Sequence, residues 1–121
     1  MQVKECYAMM NGDYDDVIGR LVSDERVAKY IVKFLDGSDY DNIFKGLEEK
    51  DYMLAFRSAH SVKGMCLNLG IPSLAASSSA VCEELRPGDH APEGDITPLI
   101  DKMKEDYEVV KGAITAFKNE Q

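Results

Sequence analysis

Few residues in this chain carry reactive side chains: two histidines, three cysteines and no tryptophan. One histidine stands out, His60 in the stretch "AHSVKGMCLNLG" over residues 59–70. A neutral imidazole is a good nucleophile near pH 7, so a histidine held in solvent can accept and return an electrophilic group. Phosphorylation of a ring nitrogen adds negative charge, which Lys63 one turn away partly neutralises. Gly64 has no side chain to keep a second molecule from the ring. Histidine and glycine are also weak choices for the exposed face of a helix, where Ala, Glu or Lys hold it better. That conflict between local propensity and position points to function.

The faces of the helix follow from about 100° of rotation per residue. Ala55, Ala59, Val62, Cys66 and Leu69 recur at spacings of four and three and form the expected buried seam. His60 lies roughly 140° from the middle of that seam, Gly64 roughly 180° and Lys63 roughly 80°. His60, Lys63, Gly64 and Leu67 therefore share one surface strip, which Met53 and Phe56 extend toward the N-terminus. Met53, Phe56 and Leu67, with the cation Arg57, are the candidate partner-docking residues. The competing reading is plain: a surface histidine, a solvated lysine, a glycine relieving crowding, and apolar residues buried under the N-terminal segment.

The elements that must hold this strip all read as helix, with no strand alternation and no hairpin pattern. "VKECYAMM" closes at Asn11-Gly12, and "DDVIGRL" follows. Ser23 is placed to cap a helix that ends at Gly37. Ser38 with Asp41 suggests a capping box for a stripe of Tyr40, Ile43, Phe44 and Leu47. The site helix runs from Tyr52 to Leu69, with Gly70 at C′ and Pro72 opening the next helix, which reaches Leu85. After "RPGDHAPEGD", Thr97 is expected to cap and Pro98 to open the last helix, striped by Leu99, Met103, Tyr107, Val110, Ile114 and Phe117. The expectation is an all-α, up-down antiparallel four-helix bundle with short N-terminal helices. One domain spans residues 1–121, with cap helices at 1–22 and the bundle at 23–119, the helix ending at Gly37 being its fourth member.

Composition narrows the function classes. A net charge of −8 leaves no basic surface for nucleic acid. The charge is unevenly spread, because Tyr52 to Cys82 contains no Asp or Glu while keeping Arg57 and Lys63. No apolar run approaches the roughly 18 residues of a membrane span, and the N-terminus lacks a secretory pattern. Cys6, Cys66 and Cys82 make no metal-type spacing with His60 or His90, so reduced thiols and a cytoplasmic location are expected. Nor does the chain offer the His/Glu spacing of a bundle metal site, and Glu83-Glu84 and the acidic run at Asp13, Asp15 and Asp16 read as solvated charge.

The run His60-Ser61-Val62-Lys63-Gly64, with Gly70 six residues on, closely resembles the signature of histidine-containing phosphotransfer (HPt) domains. The flanking "DYMLAFRSA" and "IPSLAASSSAVCEEL" are similar to the family too, so the resemblance covers about Ser23 to Phe117. It implies a phosphoryl carrier without kinase activity or turnover of its own. His60 would exchange phosphate, on Nε2, with the aspartate of response-regulator receiver domains, fed by a hybrid sensor histidine kinase. Lys63 and Gly64 would support the group and leave it accessible. The resemblance also implies that the receiver supplies Mg²⁺, so no cofactor of the chain's own is expected; the self-contained bundle suggests a monomer. Cys66 and Leu67 occupy positions often held by small residues in the family, and the segment before Asp24 has no clear counterpart. A histidine-kinase dimerisation domain fits less well, because Ser61 and Val62 follow the histidine where that family has an acidic residue and then a proline. The related phosphoacceptor domains of chemotaxis-type kinases share the motif within much longer chains. The alternative from another class is a helical adaptor in which His60 carries no phosphate.

Overall fold

A computed structural model describes residues 1–120. Seven α-helices and no strand occur among them: α1 (Val3–Met9), α2 (Tyr14–Leu21), α3 (Asp24–Asp36), α4 (Asp39–Glu48), α5 (Tyr52–Leu69), α6 (Pro72–Leu85) and α7 (Thr97–Asn119). Three of them start on a side-chain cap, which satisfies an amide that has no partner inside the helix. The carboxylates of Asp13 and Asp51 accept from the N–H groups of Asp16 and Leu54, and the Ser23 hydroxyl accepts from Arg26. Gly70 ends α5 in the left-handed conformation at φ 69°, where a side chain would be strained.

Two helix starts differ from expectation. Ser38 already has a helical backbone (φ −103°, ψ −4°), so its hydroxyl makes no capping bond. Thr97 is itself the first residue of α7 rather than its cap. Its N–H donates to the Asp95 carboxylate at 2.9 Å, so an aspartate two residues upstream does the capping.

Connections of three residues before α5 and two before α6 turn the chain back on itself, so α5 lies between α4 and α6 and packs most closely against those two. At the α4 contact, a Cβ on Gly46 would sit 2.6 Å from the Ala55 nitrogen and 2.8 Å from the Asp51 oxygen, so glycine lets two backbones touch. On the α6 side small residues serve the same end, with Ala75, Ser77 and Ser78 buried. The Ser78 hydroxyl stays satisfied by donating to the Leu74 carbonyl at 2.6 Å. α7 packs on α6, and the Tyr107 ring stacks on Tyr40 of α4. The helix expected as the fourth bundle member, α3, touches both α5 and α7, and α4 packs against α5.

The N-terminal segment closes the far end of the site helix. An α-helix leaves its last four carbonyls without partners, and here each of the four has one. Cys66 accepts from the Ile71 N–H, Leu67 and Asn68 from the Arg20 guanidinium, and Leu69 from the Tyr7 hydroxyl at 2.6 Å. The Asp13 N–H adds a bond to the Gly70 carbonyl at 2.7 Å. Arg20 is itself held by a two-pronged pair to Asp16, and Tyr7 is buried. Between α2 and α3 the chain makes a tight γ-turn: Ser23 N–H donates to Leu21 O, with Val22 at φ 77° and ψ −38°. That conformation is strained for a β-branched residue, and Val22 is 73% exposed.

Candidate functional site

The seam expected on α5 is buried in full: Ala55, Ala59, Val62, Cys66 and Leu69 all face the core. The opposite strip is therefore held outward by packing on three sides. His60 is exposed on it, Lys63 is half-buried on the α6 flank, and Gly64 is exposed. A Cβ built on Gly64 meets nothing within 4 Å, so no packing contact explains the glycine. Among the described residues His60 makes no hydrogen bond and Lys63 no ion pair. Both ring nitrogens and the ammonium are uncommitted.

Of the docking candidates, Arg57 is exposed and Met53 and Leu67 stand 36% and 57% exposed, which sets aside their burial under the N-terminal helices. Phe56 is half-buried, and what covers it is the segment after α6. Gly88 lies so close that a Cβ there would come within 3.1 Å of Phe56 and 3.2 Å of the Met53 sulfur, and its φ of 94° also favours glycine. The Arg86 guanidinium sits over the Phe56 ring, 5.2 Å from its centroid. Phe56 also meets the His60 ring edge-on, at 6.4 Å between centroids.

Arg86 also forks onto Glu83 of α6, with Nε 3.2 Å and Nη2 3.0 Å from the two carboxylate oxygens. Hydrogen bonding to Arg86 holds the Glu83 carboxyl below its ordinary range, and the charges of Arg86, Lys63 and His60 add to the effect. His60, Lys63, Phe56, Glu83 and Arg86 are thus one neighbourhood built from α5 and the end of α6. Glu83 and Arg86 were not legible as site residues, because they sit 23 and 26 positions beyond His60 and reach it only through helix packing.

Of the three thiols, Cys82 is buried on α6 beside Glu83 and feels the charges of Arg86 and Lys63, whereas the other two lie elsewhere. Cys66 is on the buried face of α5, where desolvation pushes its thiol up to about 12, and Cys6 rises to about 11 for the same reason. No cluster of three His, Cys, Asp or Glu side chains among the described residues is placed to hold a metal ion. An apolar hollow between α3 and α5, lined by Tyr30, Phe34, Met65 and Leu69, lies on the flank of α5 away from α6. No described helix is long and apolar enough to cross a membrane.

Comparison with protein-family profiles, with curated proteins and with solved structures finds no match to this chain. An imidazole with two free nitrogens, a free ammonium one turn away and an unfilled space beside them suit nucleophilic attack on an anionic electrophile.

Proposed function

We propose that this protein is a histidine phosphotransfer carrier of a two-component phosphorelay, an HPt domain with His60 as its phosphoacceptor. In this reading α3, α5, α6 and α7 form the up-down four-helix bundle, α4 packs against α5, and α1 and α2 cap one end. The observation that carries the reading is the joint placement of exposed His60, unpaired Lys63 and unobstructed Gly64 on one face of α5.

The chemistry is a displacement at phosphorus. A ring nitrogen of His60 attacks the phosphoryl group of a receiver aspartyl phosphate, and the P–O bond to aspartate breaks with its electron pair returning to the carboxylate. The ring N–H proton leaves to solvent, and the reverse sequence passes the group to the aspartate of another receiver. Both transfers require the two proteins to bring nitrogen and phosphorus within about 3–3.5 Å. Gly64 keeps the approach open, and Lys63 offsets the charge arriving on the ring. Met53, Arg57, Leu67 and the exposed edge of Phe56 form the docking surface for the receiver. The Mg²⁺ used in such a transfer is carried by the partner, so this chain contributes no turnover of its own. Three unpaired, buried thiols suit a reducing, cytoplasmic setting.

The test is incubation with a panel of phosphorylated receiver domains, comparing wild type with His60→Gln. Acid-labile, alkali-stable label on wild type, absent from a folded His60→Gln, supports the carrier. Label retained by the variant, or none on either across a broad panel, overturns it in favour of a helical adaptor.

A further inference from the structure

On the phosphoryl-carrier reading, we propose that the Glu83–Arg86 ion pair sets how long His60 keeps its phosphoryl group, with Glu83 shortening that life and Arg86 lengthening it. The two side chains reach His60 through a continuous set of contacts. The His60 ring meets Phe56, Arg86 lies over Phe56, and Glu83 forks onto Arg86. Glu83 also feels the charge of His60 and of Lys63 directly.

A guanidinium has five N–H donors in a fixed fork. Glu83 takes one from Nε and one from Nη2, which leaves three donors facing other directions. A phosphoryl group on His60 places a dianion in this neighbourhood, and the free donors of Arg86 and the ammonium of Lys63 stabilise it. The Glu83 carboxylate acts in the opposite sense on two counts. It repels the phosphoryl oxygens, and it offsets part of the Arg86 charge that would hold them.

Loss of the group to water is a balanced hydrolysis. Water's hydroxyl bonds to phosphorus as the P–N bond breaks, the bonding pair returns to the ring, and water's proton ends on the imidazole with release of inorganic phosphate. A protonated ring leaves more readily than a neutral one, and a carboxylate nearby favours that protonated form. Glu83 thus raises the energy of the phosphorylated state and eases its breakdown, while Arg86 and Lys63 do the reverse. A relay carrier benefits from such a limit, because a phosphoryl group held too stably is not passed on.

The experiment labels the full chain with phosphoramidate, which needs no receiver, removes the donor and follows phosphohistidine decay by ³¹P NMR. Glu83→Gln is expected to lengthen the half-life roughly three- to tenfold, the scale of one neighbouring surface charge. Arg86→Gln is expected to shorten it, and Arg86→Lys to stay near wild type because it keeps the charge. The Glu83→Gln effect should shrink when ionic strength is raised to about 1 M, where screening acts within about 3 Å. A role that is only structural would show neither opposite signs nor salt dependence. Equal half-lives in a labelled wild type and Glu83→Gln, or both variants moving in the same direction, overturn the proposal while leaving the carrier intact. Failure of the wild type to take label at His60 overturns the carrier reading itself.

Discussion

Replacing Gly64 by alanine separates what α5 needs for stability from what its exposed face needs for contact. A Cβ at this position meets nothing within 4 Å, so the substitution introduces no clash. Gly64 lies inside the 18-residue helix α5, where glycine is less favourable than alanine by about 0.5–1 kcal/mol. Gly64→Ala should therefore stabilise the fold by that amount and raise the melting temperature by roughly 2–5 °C for a domain of this size. Transfer from a receiver should move the other way. A methyl group forced into a close protein contact costs about 1–3 kcal/mol, which slows transfer by roughly 5- to 150-fold. Gly112 in α7 supplies the control, because its Cβ position is equally open and lies on another helix. Gly112→Ala should stabilise similarly and leave transfer unchanged. Calorimetry and quench-flow transfer on the two variants decide the matter. A destabilised Gly64→Ala, or a stabilised one that transfers at the wild-type rate, would refute the reasoning.

Three further outcomes follow from the packing. Gly46→Ala should destabilise by about 1–3 kcal/mol in urea titrations, because its Cβ would meet backbone of α5 that cannot move aside. Val22→Gly should stabilise by up to about 1 kcal/mol, since it relieves a positive-φ γ-turn at a residue with little packing to lose. Stability should fall as pH rises above about 9, the ordinary thiol value here, and continue falling toward 11–12. In that window the unfolded chain has released its Cys6 and Cys66 protons while the folded chain still holds them, so unfolding is favoured; below it the two states bind equal numbers and the effect vanishes. Urea midpoints at pH 8 and pH 10, compared with a Cys6→Ala, Cys66→Ala double variant, measure the contribution.

The helices were legible where local chemistry is strong. The α5 bounds agree with expectation because Gly70 takes the left-handed stop and Pro72 opens the next helix, both decided within a few residues. The outward placement of His60 was legible for the same reason, since five seam residues fix the rotation of the helix. What escaped depends on tertiary approach. The bonds from Tyr7 and Arg20 to the end of α5 span 62 and 48 positions and follow no local pattern. Gly88 read as a loop glycine, although its position against Phe56 and Met53 brings the segment after α6 onto the site. Charge run together in sequence also concealed a difference: Glu83 is tied to Arg86 beside His60, whereas its neighbour Glu84 makes no such pair.

The most direct test of the central claim is a reconstituted relay. One phosphorylated receiver, the present chain and a second, unphosphorylated receiver are mixed, and label is followed on all three with time. The account predicts that label passes through the chain to the second receiver, that wild type accelerates its arrival, and that folded His60→Gln abolishes the effect. Equal arrival with wild type and His60→Gln would contradict it.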